Sequence, residues 1–237
     1  NVAHSFPTRR SSDLLEALAQ HRRHGDHARL AVCLNNLGSM STFMDDDQAA
    51  QAHLREALQL SERHGLVSTR AFVLANLTEL ALKTGDADAA RRHAEQAIEV
   101  AHGGGMRSLV GWLKVQLARL ATRRGEIALA HTLLADGAEL ALTLGAQSVK
   151  PAVLLGWAEL LEAQGHGGAA RRVLAFGADE STLSAPDRDE LRAAWARRAS
   201  SAAPEPPWPG MGLDELLRRI VIERELDQAP LIGALSA

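Results

Sequence analysis

Apolar residues recur along this chain at helical spacing, and the pattern itself repeats every 40 residues. Leu37, Leu77, Leu117 and Trp157 stand at successive intervals of 40, as do Ala50, Ala90, Ala130 and Ala170. Gly85, Gly125 and Gly165 keep the same period, with Asp45 in the first slot. Within one period, Leu74, Leu77, Leu80 and Ala81 mark one face of a helix expected over 69–84. Gly85 is placed to end that helix and Asp86 to cap the next. The second helix, expected over 87–101, carries Ala90, Ala94, Ala97 and Ile98 on one face and Arg91, Arg92 and Glu95 on the other. The third copy turns at Gly125-Glu126, the fourth at Gly165-His166, and the first at Asp45-Asp46-Asp47, a polar turn without glycine. The fold expected is all-α: an α–α superhelix, a solenoid of helix hairpins in which each unit buries its apolar face against its neighbours.

The small residues have a physical role in that reading. Two helices of one hairpin approach closely only where a side chain is short, so Ala50, Ala90, Ala130 and Ala170 are expected at the crossing, with Leu54, Leu134 and Leu174 filling the space one turn on. A bulky residue at the crossing would cost about 1–3 kcal/mol in overpacking. Beyond about residue 178 the repeat fades. Ser184-Ala185-Pro186-Asp187 reads as a helix start, and a helix over 187–198 with Leu191, Ala194 and Trp195 is expected to cap the array within 179–199. Residues 200–212 include four prolines and read as a linker. The segment 213–237 then opens with an amphipathic helix, Leu213, Leu216, Leu217, Ile220 and Val221 forming its apolar face, and ends in a loose tail.

The repeat also marks a break near the start. Leu14-Leu15-Glu16-Ala17-Leu18 aligns with Leu54-Arg55-Glu56-Ala57-Leu58, and Gly25 with Gly65, so residue 14 onward is the second helix of an earlier hairpin. The array is thus expected over 14–178 as a half repeat plus four repeats. The preceding residues show no helical periodicity, and Pro7 is expected to break a helix there. His4 to Leu14 resembles one reading frame of a common short-read sequencing adapter. Residues 1–13 are therefore expected to be a non-native assembly scar, with the true protein continuing upstream.

Composition narrows the function classes. Of 237 residues, 46% are hydrophobic but only 3% aromatic, which suits a core of Ala, Leu and Val in helices. A net charge of −3 carries no basic nucleic-acid footprint. One cysteine, Cys33, allows no internal disulfide and no cysteine-based zinc site, and a cytoplasmic location is expected. No stretch approaches the ~20 apolar residues of a membrane span. His21, His24 and His27 are separated by a Gly25-Asp26 turn and are not expected to hold a metal. His102-Gly103-Gly104-Gly105 reads as a turn because no Gly-x-Ser-x-Gly elbow accompanies it. Gly210-Met211-Gly212 follows no strand and is no phosphate loop. Glu159 and Glu162 read as ordinary exposed helix residues. No catalytic residue, metal site or cofactor is expected.

These residues resemble the tetratricopeptide repeat. Leu34-Asn35-Asn36-Leu37-Gly38 matches the first helix of that repeat, and Ala50, Leu54 and Ala57 the second. Later copies read Leu74, Leu77, Ala90, Ala94, Ala97; then Leu117-Ala118, Ala130, Leu134, Gly137; then Trp157-Ala158, Ala170, Leu174, Gly177. The chain departs in its period, 40 rather than the usual 34, and lacks the helix-ending proline; HEAT-type repeats are the alternative. The resemblance implies a concave groove lined by the first helices that binds a protein or peptide. It places inner amides at Asn36, Asn76 and Gln116, with Gly156 departing, and neighbouring groove positions at Asn35, Ser39, Phe43, Phe72, Glu79, Lys83, Trp112, Arg119, Arg123 and Glu159. Phe72 and Trp112 are weighted toward packing. Asn36 and Asn76 stand equally well as ligand contacts or as amides bonded to a neighbouring helix. Asn35/Ser39 and Ala75/Glu79 do not supply the Lys–Asn clamp of chaperone-tail binders. Arrays of this period resemble the C-terminal sensor portions of large bacterial regulators, which carry an ATPase domain and a DNA-binding or kinase domain upstream. The expected function is the interaction arm of such a regulator, with no direct nucleic-acid or membrane binding. A stand-alone adaptor, or the substrate-selecting array of an enzyme, are the alternatives.

Overall fold

A computed structural model describes residues 5–198 and 212–223, with side chains from 13 to 198 and from 212 to 221. Among the described residues the fold is an all-helical array of eleven helices packed in hairpins. The tail after residue 223 and all but the last residue of the linker expected over 200–212 lie outside them. The chain forms two compact units that divide between Met106 and Arg107.

The first unit holds α1 (Ser5–His24), the hairpin α2 (His27–Phe43) with α3 (Asp47–Arg63), and the hairpin α4 (Val67–Thr84) with α5 (Ala87–Gly103). The helix before Leu14 departs from expectation: α1 already begins at Ser5. Pro7 falls in its first turn, where a missing N–H costs no intrahelical bond. Hairpin α2–α3 stacks on α4–α5 through α3 against α4 and α2 beside α4. Ala50, Ala90, Leu54 and Ala94 are buried at the crossings, and Leu34, Leu37, Leu74 and Leu77 fill the space between them.

The second unit holds the hairpins α6 (Arg107–Arg123) with α7 (Ile127–Leu144) and α8 (Lys150–Ala163) with α9 (Gly167–Asp179), then α10 (Ala185–Arg197) and α11 (Leu213–Glu223). α8 begins three residues later than the period demands. Pro151 sits in its first turn, where its fixed φ suits a helix start and its missing N–H costs no intrahelical bond. α10 is capped by Ser184, whose hydroxyl accepts from the Asp187 amide, and packs on α9 and α8. α11 packs on α7, its Leu213, Leu216, Leu217 and Ile220 all buried. α7 is apolar and long enough to pass for a membrane span by composition, contrary to expectation; here it packs against α6, α8 and α11.

The turns reveal a shorter period inside the 40. Gly25, Gly65, Gly85, Gly105, Gly125, Gly145 and Gly165 all have positive φ, and Asp45 fills the one remaining slot at φ 61°. Both the turn inside each hairpin and the turn between hairpins thus end a helix with one left-handed residue, every 20 residues. At each turn the next amide donates back to the carbonyl five residues earlier, as from Asp86 to Ala81 and from Glu126 to Ala121, both at 2.9 Å. Asp26, Asp46 and Asp86 then cap the following helices by accepting from Arg29, Ala49 and Ala89.

Candidate binding face

In the first unit, one side of α2 presents Val32, Asn36, Ser39 and Phe43, and the equivalent side of α4 presents Phe72, Asn76, Glu79 and Lys83. Four apolar or amide positions of this face reach solvent: Val32 is 46% exposed, Phe72 50%, Phe43 83%, and Asn36 is exposed as well. Phe72, weighted toward packing by sequence, is instead half open. Val32 and Phe72 occupy equivalent positions 40 residues apart, so the repeat itself places two apolar side chains side by side on neighbouring helices.

The amide of Asn76 donates to Asn35 Oδ1 at 2.8 Å. This is the helix-bridging role among the two open readings, and it runs to Asn35 rather than to the repeat-equivalent Asn36. Asn36 stands on the exposed side of α2 and takes no part in it. Lys83 closes one end of the face. Its Nζ donates to the Thr42 carbonyl at 2.6 Å and lies 2.7 Å from Asp45 and 2.9 Å from Asp47. Hydrogen bonds donated by Lys83 to Asp45 first, then to Asp47, hold its pKa above the ordinary value. Ser39 and Glu79 are exposed between these ends.

The equivalent positions of the second unit are arranged differently. Gln116 is only 5% exposed, and its oxygen accepts from Arg119 Nη1 at 3.2 Å. Arg119 also forks onto Glu159, at 3.0 and 2.7 Å. Glu159, read as an ordinary exposed residue, is therefore one half of a part-buried bidentate pair; Glu162 likewise pairs with Arg198 at 2.9 Å. Gly156, the departure in the amide ladder, has a reason: a Cβ there would stand 2.7 Å from Leu134 and 3.4 Å from the Arg119 stem. Trp112 packs against the core, and Arg123 is exposed at the end of α6. The thirteen groove positions expected from sequence thus separate into an open apolar-and-amide face in the first unit and a charge-paired, largely covered set in the second.

Two further features belong to the first unit. A cleft of about 340 Å³ is lined by Asp47, Gln48 and Gln51 of α3, Leu77, Leu80, Ala81 and Thr84 of α4, and Asp86, Ala89 and His93 at the head of α5. Burial above all, and then the charge of Arg92, lowers the His93 pKa, against a smaller opposing pull from Asp86. His27 stacks on His64, ring centroids 4.3 Å apart, rather than facing His21 and His24.

Residues 30–64, the hairpin of α2 and α3, match the tetratricopeptide repeat family. The fold is a tetratricopeptide-like array of helix hairpins. Among solved structures, the chain is similar to BtubC (BKLC) from P. vanneervenii: the two superpose with a TM-score of 0.61 at 16% identity over 97% of this chain and 92% of that one. No curated protein matches it. The likeness at this identity is one of fold. The family match falls on the hairpin that carries Val32, Asn36 and Phe43.

Sequence spacing named Asn36, Phe43, Phe72 and Asn76 on these two helices but not Val32. It missed that the second unit closes its own face with Arg119–Glu159. That signal was present, because opposite charges stand at positions 40 residues apart on successive first helices, where the period brings them into contact.

Proposed function

We propose that this tetratricopeptide scaffold binds an extended peptide segment of a partner protein along the α2–α4 face. The observation that carries the reading is the pair of half-exposed apolar side chains, Val32 and Phe72, at equivalent positions on adjacent helices. Apolar side chains of a peptide alternate in an extended strand, and this face offers two apolar contacts with the Asn36 amide beside them. The amide can donate to and accept from a peptide backbone. No bond chemistry is involved, and no cofactor. By resemblance to long-period arrays, the segment serves as the interaction arm of a larger bacterial cytoplasmic regulator, restraining or releasing an upstream ATPase, DNA-binding or kinase domain.

The test is selection of short peptides from a displayed random library on the full chain, followed by affinity measurements on Phe72→Ala and Asn36→Ala. Each variant is expected to weaken a selected peptide by roughly tenfold with the melting temperature unchanged, since both side chains are exposed. Asn76→Ala serves as the contrast: it is expected to cost about 1 kcal/mol of stability by removing the bond to Asn35. Equal peptide affinity in Phe72→Ala, Asn36→Ala and the parent chain would exclude this face.

A further inference from the structure

Helix α7 differs from its counterparts in the first unit, and α11 packs on it. At one position of the second helix, α3 carries Arg55 and α5 carries Glu95, both exposed, whereas α7 carries Ala135, fully buried. Two residues earlier, His53 and His93 correspond to Leu133, which packs against the core. α7 has thus exchanged polar residues for apolar ones, and it receives the apolar stripe of α11. That stripe is Leu213, Leu216, Leu217 and Ile220, spaced i, i+3, i+4 and i+7. A charge accompanies it. Asp214, in the first turn of α11, accepts from Lys150 Nζ at 2.7 Å. Lys150, at the head of α8, is only 4% exposed, while the Asp214 side chain is 52% exposed. The receiving surface therefore specifies both an apolar helix face and an acidic group in its first turn.

α11 is suited to leave this surface. It has 11 residues, fewer than the ~12–15 that hold a helix in water without packing, so its release is coupled to its unfolding. Thirteen residues, 199–211, join it to Arg198, and four of them are proline. A chain of that length can span up to about 45 Å.

We propose that the α7–α8 face is a second binding site, occupied here by α11. In exchange it takes an amphipathic helix of a partner protein, with Leu or Ile at i, i+3, i+4 and i+7 and Asp or Glu in the first turn. The site shares no residue with the α2–α4 face and does not depend on the reading given for it. α11 then acts as a built-in competitor. Its covalent connection gives it an effective concentration at this face of about millimolar, so a partner helix must bind better than α11 or arrive already folded.

The probe is a labelled peptide with the sequence of residues 212–223, titrated against the full chain and against the full chain carrying Leu216→Asp together with Leu217→Asp. The double variant ejects the tethered helix and is expected to bind the peptide more tightly than the parent chain does by the ratio of the millimolar effective concentration to the peptide's Kd, about 100-fold for a Kd of about 10 μM. A peptide carrying Asp214→Lys is expected to bind at least tenfold more weakly. A folded, cooperatively melting double variant that ignores the peptide, or a parent chain that binds it equally well, overturns the proposal. Amide exchange on the unaltered chain provides an independent measurement. α11 amides are expected to exchange well ahead of those of α7; exchange of both helices as one unit shows that α11 does not leave, and sinks the proposal whatever the variant does.

Discussion

Lys83 Nζ lies 2.7 Å from Asp45 Oδ1, and Asp45 is the residue that breaks the glycine series of the turns. A non-glycine residue with left-handed backbone costs about 1 kcal/mol or more, and aspartate tolerates it better than most because its short polar side chain finds local partners. Here the carboxylate holds a lysine that also reaches the Thr42 carbonyl and Asp47, clamping the end of α4 to the turn between α2 and α3. Asp45→Gly is expected to hold stability or raise it by under about 1 kcal/mol, the backbone gain offsetting the lost ion pair. Asp45→Ala keeps the strain and loses the pair, and is expected to be the less stable of the two in urea titrations. The raised pKa of Lys83 makes this contribution complete below the ordinary lysine value and lost only as alkaline pH passes the raised one.

Gly38 is expected to be irreplaceable beside Leu54. A Cβ at residue 38 would stand 2.5 Å from Leu54 Cγ and 3.4 Å from the Ala50 carbonyl. Gly38→Ala should destabilise by about 1–3 kcal/mol through overpacking. Because Leu54 is the obstruction, Gly38→Ala combined with Leu54→Ala should cost less than the sum of the two single changes, measured as a double-mutant cycle. Strict additivity would show that the two side chains do not meet.

His93 predicts a stability that falls in mild acid. Its pKa is lowered, so the unfolded chain binds its proton first as pH drops below the usual histidine range, and the folded state loses ground until the lowered value is passed. His93→Leu, which copies the residue found at the equivalent position 133, is expected to flatten the thermal stability profile between neutral pH and mild acid while leaving the neutral value near that of the parent. An unchanged slope in that variant would assign the acid sensitivity to other groups.

The stretch from His4 to Leu14 makes a prediction about DNA rather than protein. A long read of the source DNA across the Leu14 codon is expected to lack the adapter string. A read that carries the string behind a start codon would make those residues native. In either case the helical backbone from Ser5 is compatible with Pro7 in its first turn.

The hairpins, their crossings and the caps were legible because they rest on local physics. Apolar spacing near 3.6 residues sets each helix face, an alanine is required where two helices touch, and a left-handed residue followed by an aspartate ends one helix and starts the next. The 20-residue turn series, with glycine at seven of the eight turns and aspartate at the other, emerged with the backbone angles. The candidate face was legible as positions but not as chemistry. Asn36, Asn76 and Gln116 share one register, yet the first is exposed, the second bonds to Asn35, and the third is covered by Arg119.

By itself, the sequence determined the elements and their period, because helix formation, capping and hairpin packing are settled by residues within one repeat of each other. Only the tertiary structure decided which side chains of the period-related face meet each other and which meet solvent, and that α11 returns across a proline-rich connection to lie on α7. Those outcomes depend on the size and charge of neighbours brought together by folding. The 2.7 Å bond of Lys150 to Asp214, between residues 64 apart in the chain, has no counterpart in any local pattern.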